Sequence, residues 1–203
     1  MPATPGGSFA IGGASLSDDG TRIAYGQHGP PDALGNATYG VVVADTAGAS
    51  VVATVSGGML SHQGQSSFDV ALSDDGTTAG FLFVNFQIGT LHRFELDQPQ
   101  LVPILDDLRT PGSLRVSDDG GVFALIVESD FVVTDAAGSP PRTVSADTVG
   151  NPATGVDRLV ADLSGDGRFV AFTSTDPDLT PNDTNNVADI FTRATTQSPT
   201  TPT

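Results

Sequence analysis

Short apolar stretches along the chain recur around one tetrapeptide. Ser17-Asp18-Asp19-Gly20, Ser73-Asp74-Asp75-Gly76, Ser117-Asp118-Asp119-Gly120 and Ser164-Gly165-Asp166-Gly167 follow one another at intervals of 56, 44 and 47 residues. A period of about 40 to 50 residues marks an array of like structural units. An apolar residue precedes each Ser: Leu16, Leu72, Val116 and Leu163. The third position after each Gly is Ile23, Ala79, Phe123 or Val170, and the fifth is Tyr25, Phe81, Leu125 or Phe172. The fourth is always small: Ala24, Gly80, Ala124 and Ala171. Alternate residues of a strand point to opposite faces, so the pattern predicts strands with one bulky and one flat face. Such a sheet suits stacking between neighbours, bulky side against flat side.

The tetrapeptides read as hairpin turns, with structural roles for Asp19, Gly20, Asp75, Gly76, Asp119, Gly120, Asp166 and Gly167. Asp-Gly is a strong hairpin signal because Asp tolerates the left-handed region and Gly enters it without a Cβ clash. A third strand is predicted at 38–45, 90–97, 129–135 and 188–193, and a fourth at 51–55, 101–105 and 142–145. The expected fold is all-β, a β-propeller of four four-stranded antiparallel blades at about 8–58, 66–108, 112–146 and 157–193, partial or incompletely closed. Residues 1–193 form one domain in this reading, and the Thr- and Pro-rich 194–203 a disordered tail. No fourth strand is evident in the last unit, and Ser8-Phe9-Ala10-Ile11 is the segment expected to add to it and seal the ring.

Composition narrows the function classes. The formal charge of −16, with no Lys among the 8 basic residues, argues against nucleic acid and anionic membranes, whose phosphates require clustered cations. No apolar run approaches the roughly 20 residues of a membrane span, so no membrane insertion is expected. Nearly all the acid is Asp, the turn-forming carboxylate; only Glu95 and Glu128 depart from this. With no Cys, disulfides and thiolate metal sites are excluded. Met1 is not followed by a basic and then an apolar stretch, so no secretory signal is visible. The Ala, Gly, Asp and Thr bias without Lys points to a bacterial source.

The stretch LSGDGRFVAFTSTDPDLTPNDTNNVADIFTR (163–193) resembles the TolB-like, WD-like β-propeller repeat. The resemblance is carried by Ser164, Asp166, Gly167, Arg168, Ala171, Phe172, Asp183, Asn185, Asp189 and Phe191. It covers about one unit in detail and the rest in pattern. It implies a propeller fold and, from family habit, a place outside the cell or in the periplasm. Such propellers serve as protein-binding scaffolds, carbohydrate binders and peptidase appendages, so fold alone does not choose a function. The family usually has six or more blades, often with Pro where Asp18, Asp74 and Asp118 stand.

Candidate chemistry concentrates in the connections between second and third strands, long in the first and last units. His28, Asp32, Asn36, Asp176, Asp178, Asn182, Asp183, Asn185 and Asp189 are the binding-loop candidates, on the principle that variable loops on a rigid frame carry recognition. Asp176, Asp178 and Asp183 are also an oxygen-rich set suited to calcium, and no other cofactor is expected. Counted from Asp176, however, an EF-hand would need Gly at the sixth position and an acid at the twelfth, where Pro181 and Val187 stand. The competing reading is turn chemistry, with Asp and Asn satisfying backbone donors. His28, His62 and His92 are isolated, and no Gly-x-Ser-x-Gly elbow is present, so no catalytic residue is assigned. Asn36-Ala37-Thr38 and Asn182-Asp183-Thr184 are N-glycosylation acceptors only in a eukaryotic secretory route.

The leading expectation is a non-catalytic module that binds a protein or polysaccharide. The rivals are a hydrolase, a lyase or the accessory propeller of a peptidase, and a calcium-stabilised surface protein. A homodimer or a longer parent chain is the expected means of completing the ring.

Overall fold

The computed structural model describes residues 9–28, 37–47, 51–60, 66–85, 87–147, 149–153, 155–156, 161–180, 183, 185 and 187–196. Blade one contains β1 (Phe9–Leu16), β2 (Arg22–His28), β3 (Ala37–Asp45) and β4 (Val51–Leu60). Blade two contains β5 (Ser66–Leu72), β6 (Thr78–Asn85), β7 (Ile88–Glu95) and β8 (Gln98–Arg109). Blade three contains β9 (Gly112–Val116), β10 (Val122–Val127), β11 (Asp130–Asp135) and the short β12 (Arg142–Thr143). Blade four contains β13 (Ala161–Leu163), β14 (Phe169–Ser174) and β15 (Asp189–Ala194). Each blade is an antiparallel meander whose strands pair in chain order.

Two expectations change. Phe9 and Ala10 pair with His28 and Gln27, so the N-terminal segment is the start of blade one's own first strand and is not added to blade four. A bulge between Ala10 and Ala14 lets that strand continue past its core pairing. Among the described residues blade four has three strands, where four were expected. Its last strand also runs past 193: Ala194 pairs with Phe169, and the Thr195 hydroxyl donates to the Gly167 carbonyl at 2.6 Å.

The hairpins share one construction. The residue at the fourth place donates its N–H to the Ser carbonyl, as in Gly20 to Ser17 (2.9 Å) and Gly167 to Ser164 (2.8 Å). Gly20, Gly76, Gly120 and Gly167 have φ of +66° to +69°. The Asp residues keep negative φ; their contribution is the carboxylate, which caps the turn. Asp19 accepts from the Ser17 hydroxyl (2.7 Å) and the Thr21 N–H (2.9 Å), and Asp75, Asp119 and Asp166 repeat the arrangement. Each Ser oxygen also accepts the N–H five residues on, from Arg22, Thr78, Val122 or Phe169.

The core lies between the blades. Take as the back face of a blade the second, fourth and sixth positions after the hairpin Gly with the third-strand residues opposite them, and as the front face the third and fifth. Ala24, Val41 and Val43 at the back of blade one then pack with Val70, Leu72, Ala79, Phe81 and Phe94 of blade two. Leu82 and Leu91 meet Leu114, Phe123, Leu125 and Val132. Ala124, Ile126, Phe131 and Val133 meet Val170, Phe172 and Phe191. Each fully buried Leu or Phe contributes roughly 1.5–3 kcal/mol of transfer free energy. The flat fourth position makes the approach possible: a Cβ on Gly80 would lie 3.0–3.1 Å from Leu114, Val116 and Phe123. Polar pins register the stack. The Asp18 N–H donates to the Asp74 carbonyl (3.1 Å), Asp118 N–H to Gly165 (2.8 Å), Arg22 to the Gly76 carbonyl (2.9 Å), and Leu114 N–H to the Asp69 carboxylate (2.9 Å).

Ser73 and Ser117 are fully buried, whereas Ser164 in blade four is part-exposed. Removing a buried hydroxyl strands its partners, at a cost of about 1–3 kcal/mol, while water can replace an exposed one. Urea titration should therefore show Ser73→Ala and Ser117→Ala losing that much and Ser164→Ala distinctly less. Equal losses at the three sites would contradict this account of the hairpins.

Candidate functional site

All four hairpins lie at one end of the stack, where they bond to one another. The second-to-third-strand connections leave from the opposite end, beyond the pairs His28–Tyr39, Asn85–Ile88, Val127–Asp130 and Ser174–Asp189. The blade-to-blade links emerge there too, giving a loop face and a hairpin face.

The hairpin face is occupied by its own bonding. Hydrogen bonds led by the Thr21 N–H hold the Asp19 carboxyl below the usual carboxylate range, and those from the Ser117 and Ser164 hydroxyls do the same for Asp119 and Asp166. Burial pushes the Asp75 carboxyl up, but bonds from Ser73 and Thr77 outweigh it. The Asp74 carboxyl is instead raised. Burial is the largest cause, followed by a hydrogen bond with Asp118 and the charges of Asp118 and Asp18 in the adjoining blades.

The loop face is built differently. Asp32, Asn36, Asn182 and His62 lie outside the described residues, as does the side chain of His28, whose backbone ends β2. The 174–188 loop divides in two. Its first part is a plug: Asp176 is buried and caps a 3-10 turn, Pro177–Leu179, by accepting the Asp178 N–H at 2.9 Å. Leu179 enters the core between blades three and four, and its carbonyl accepts from the Arg193 guanidinium at 2.7 Å. Asp-Pro at a helical start is a readable capping signal that the sequence reading passed over in counting Asp176 as a surface ligand. The second part is outward: Asp183 accepts the Asn185 N–H (3.2 Å), Asn185 accepts from Val187 (3.0 Å), and the Asn185 amide donates to Asp189 (3.3 Å). Among the described residues no three His, Asp or Glu side chains form a metal-holding group, so Asp176, Asp178 and Asp183 are not gathered into one.

Residues missed by the sequence reading line the same face between blades two and three. Gln87, Thr110 and Glu128 take φ of +76°, +42° and +58°, a region costly for residues with a Cβ. Backbone bonds tie them together, Thr110 N–H to the Gln87 carbonyl and Glu128 N–H to Arg109. Beside them the Asp130 carboxyl is pushed up by burial and then by the Glu128 charge. The two-residue connection around Glu128 was legible, but not its hand. A solvent-open hollow lined by Arg93, Glu95, Gln98, Gln100 and Val102 lies on blade two, with room for about one water molecule and far too small for a small-molecule site.

The His92 ring lies 6.2 Å from that of Phe81 at a tilt of 43°, its Nδ1 is buried without a partner among the described residues, and burial lowers its pKa from 6.5. A folded state that disfavours the imidazolium keeps that stability above pH 6.5 and loses it as pH falls through the lowered value. Asp74 has the opposite sign: its raised value means stability held below pH 3.8 and lost as pH rises. Denaturation should show His92→Phe abolishing a loss of stability that the parent suffers as the pH falls below 6.5. Asp74→Asn should melt higher than the parent at neutral pH and level with it near pH 3. A parent curve flat across the first window, or an Asp74→Asn gain that persists in acid, would refute the respective assignment.

No family model and no curated protein matches the sequence. Solved structures do resemble it in fold. The β-propeller domain of the Trilobed protease from Pyrococcus furiosus, described as having an open velcro topology, has a TM-score of 0.57 at 11% identity, over 91% of this chain and 55% of that one. TolB from Acinetobacter baumannii has a TM-score of 0.50 at 13% identity, over 93% of this chain and 43% of that one. The chain thus spans about half the length of these propellers. Among the described residues no helix is long and apolar enough to cross a membrane. Four antiparallel blades stacked through their faces, in a ring not closed by the described strands, give this chain the fold of a β-propeller, the fold it shares with these structures.

Proposed function

We propose that the chain is a non-catalytic binding or scaffolding module that meets a protein or a polysaccharide through its loop face, outside the cell or in the periplasm. The observation that carries this is the division of labour between the two ends. At the hairpin end the carboxylates that cap the turns are engaged in internal hydrogen bonds. At the loop end the non-glycine residues Gln87, Thr110 and Glu128 are held at positive φ, and the exposed Asn185 and Val187 of blade four lie on the same face. Unfavourable backbone conformations kept on a rigid frame are a mark of recognition surfaces.

The similarity to a protease's propeller domain favours a second reading, in which the chain is the accessory propeller of a larger enzyme and the same face presents substrate to a catalytic partner. Both readings use one surface.

The test is capture of immobilised polysaccharides and arrayed proteins by the wild type and by Asp178→Ala/Asn185→Ala/Val187→Ser, all exposed positions. Asp176 is left intact because it caps the plug. Binding should fall about tenfold or more with the melting temperature unchanged. Undiminished binding by the triple variant, together with loss on substituting the exposed hairpin residue Asp18, would place recognition on the other face.

A further inference from the structure

The four blades make three junctions of one design, and the two outer faces of the stack are complementary halves of a fourth. In every junction the second residue after a hairpin Gly covers the Gly of the next blade. Arg22 lies over Gly76, Thr78 over Gly120 and Val122 over Gly167, so closely that a Cβ there would sit 2.5–2.8 Å from the covering side chain. Among the described residues Gly20 has nothing within 4 Å of that position. Phe169, the corresponding covering residue of blade four, is 48% exposed.

The same mismatch recurs across both faces. Val41, Leu91 and Phe131 occupy one third-strand position and are 0% exposed; its equivalent in blade four, Ile190, is 75% exposed. On the other side Leu16 is 57% exposed where Leu72 is 5%. Charge fits as well. Asp18, Asp74 and Asp118 stand at the second hairpin position of the first three blades, and the Asp74 carboxyl is pushed up by burial and then by the acids on both sides. Blade four has Gly165 there, so a junction from blade four to blade one places no carboxylate opposite Asp18. Arg168 is exposed and holds its guanidinium 5.7 Å from the centre of the Phe169 ring, so that face carries a cation where the facing hairpin of blade one is acidic.

We propose that the back face of blade four docks onto the front face of blade one in a second copy of this chain, head to tail, twice over. Phe169 of each copy covers Gly20 of the other, and Ile190 and Leu16 are buried in the same junction. The two chains close one ring of eight blades, within the usual range of roughly four to eight. The contact joins unlike surfaces and terminates only because the ring closes. This proposal is independent of the loop-face reading.

Size-exclusion chromatography with light scattering should give twice the 20.6 kDa chain mass for the wild type. Ile190→Asp and Leu16→Asp should each elute as folded monomers, since both positions are exposed in the single chain; Phe169→Ser is a second back-face variant should Ile190→Asp fold poorly. Mixing the Ile190→Asp and Leu16→Asp proteins should regenerate a two-chain species, because one of the two junctions is then intact. A wild type that is monomeric at every concentration, as it would be if another chain's blade or nothing at all covered these faces, overturns the proposal. So does a dimer that survives Leu16→Asp, or a mixture that stays monomeric.

Discussion

Everything in this fold depends on how closely one blade approaches the next, and that distance is set by the small residue four places after each hairpin glycine. Ala24, Gly80 and Ala124 leave a shallow surface into which Phe81, Phe123, Leu125 and Phe172 of the following blades are pressed. Each sheet is too thin to bury both faces by itself, so stability resides in the junctions and is propagated from neighbour to neighbour. The hairpin glycines answer to the same constraint. Their positive φ is a local demand of the turn, and the absence of a Cβ at Gly76, Gly120 and Gly167 is a demand of the preceding blade, which places a side chain directly above them.

What was legible in the sequence was what repeats. The hairpins, the alternation of bulky and flat positions and the third strands could be placed because each is specified by residues within about ten of one another and appears in all four units. β3, β7, β11 and β15 begin and end within two residues of their expected limits. What was not legible occurs once. Phe9 and Ala10 extend blade one because β2 is long enough, as far as Gln27 and His28, to offer them partners, and no local pattern reports the length of a neighbour. The plug at Leu179 was hidden inside a polar stretch: one Leu among Asp, Pro, Thr and Asn reads as loop, although its burial ties that loop to the core between blades three and four. The left-handed conformations of Gln87, Thr110 and Glu128 are imposed by tertiary bonds against the preferences of those residues, so composition could not announce them.

The charge of −16 is accommodated by the same economy of means. Asp19, Asp75, Asp119, Asp135, Asp147 and Asp166 each accept short-range hydrogen bonds from Ser, Thr or Asn side chains and from backbone N–H groups of their own turn. Such bonds favour the ionised form, and all six carboxyls lie below the ordinary value of 3.8. Acidity here is chiefly a consequence of many tight turns. That weakens any inference from net charge to partner, and it shifts weight onto groups that turns do not explain, chiefly Asp130 and the exposed residues of the blade-four loop.

The exception within the repeat is Gly165, and its meaning is both steric and electrostatic. The second hairpin residues lie in a row along the stack, each bonded or packed against the next. Burial, and then Asp118 on one side and Asp18 on the other, push the Asp74 carboxyl up. An acid at position 165 would extend this predicament to Asp118 and would also collide with it, since the Asp118 carboxylate occupies the space a Cβ there would need. Glycine interrupts the row after three members. The last blade therefore ends the acidic ladder, with one exposed apolar side chain, Phe169, beside its turn.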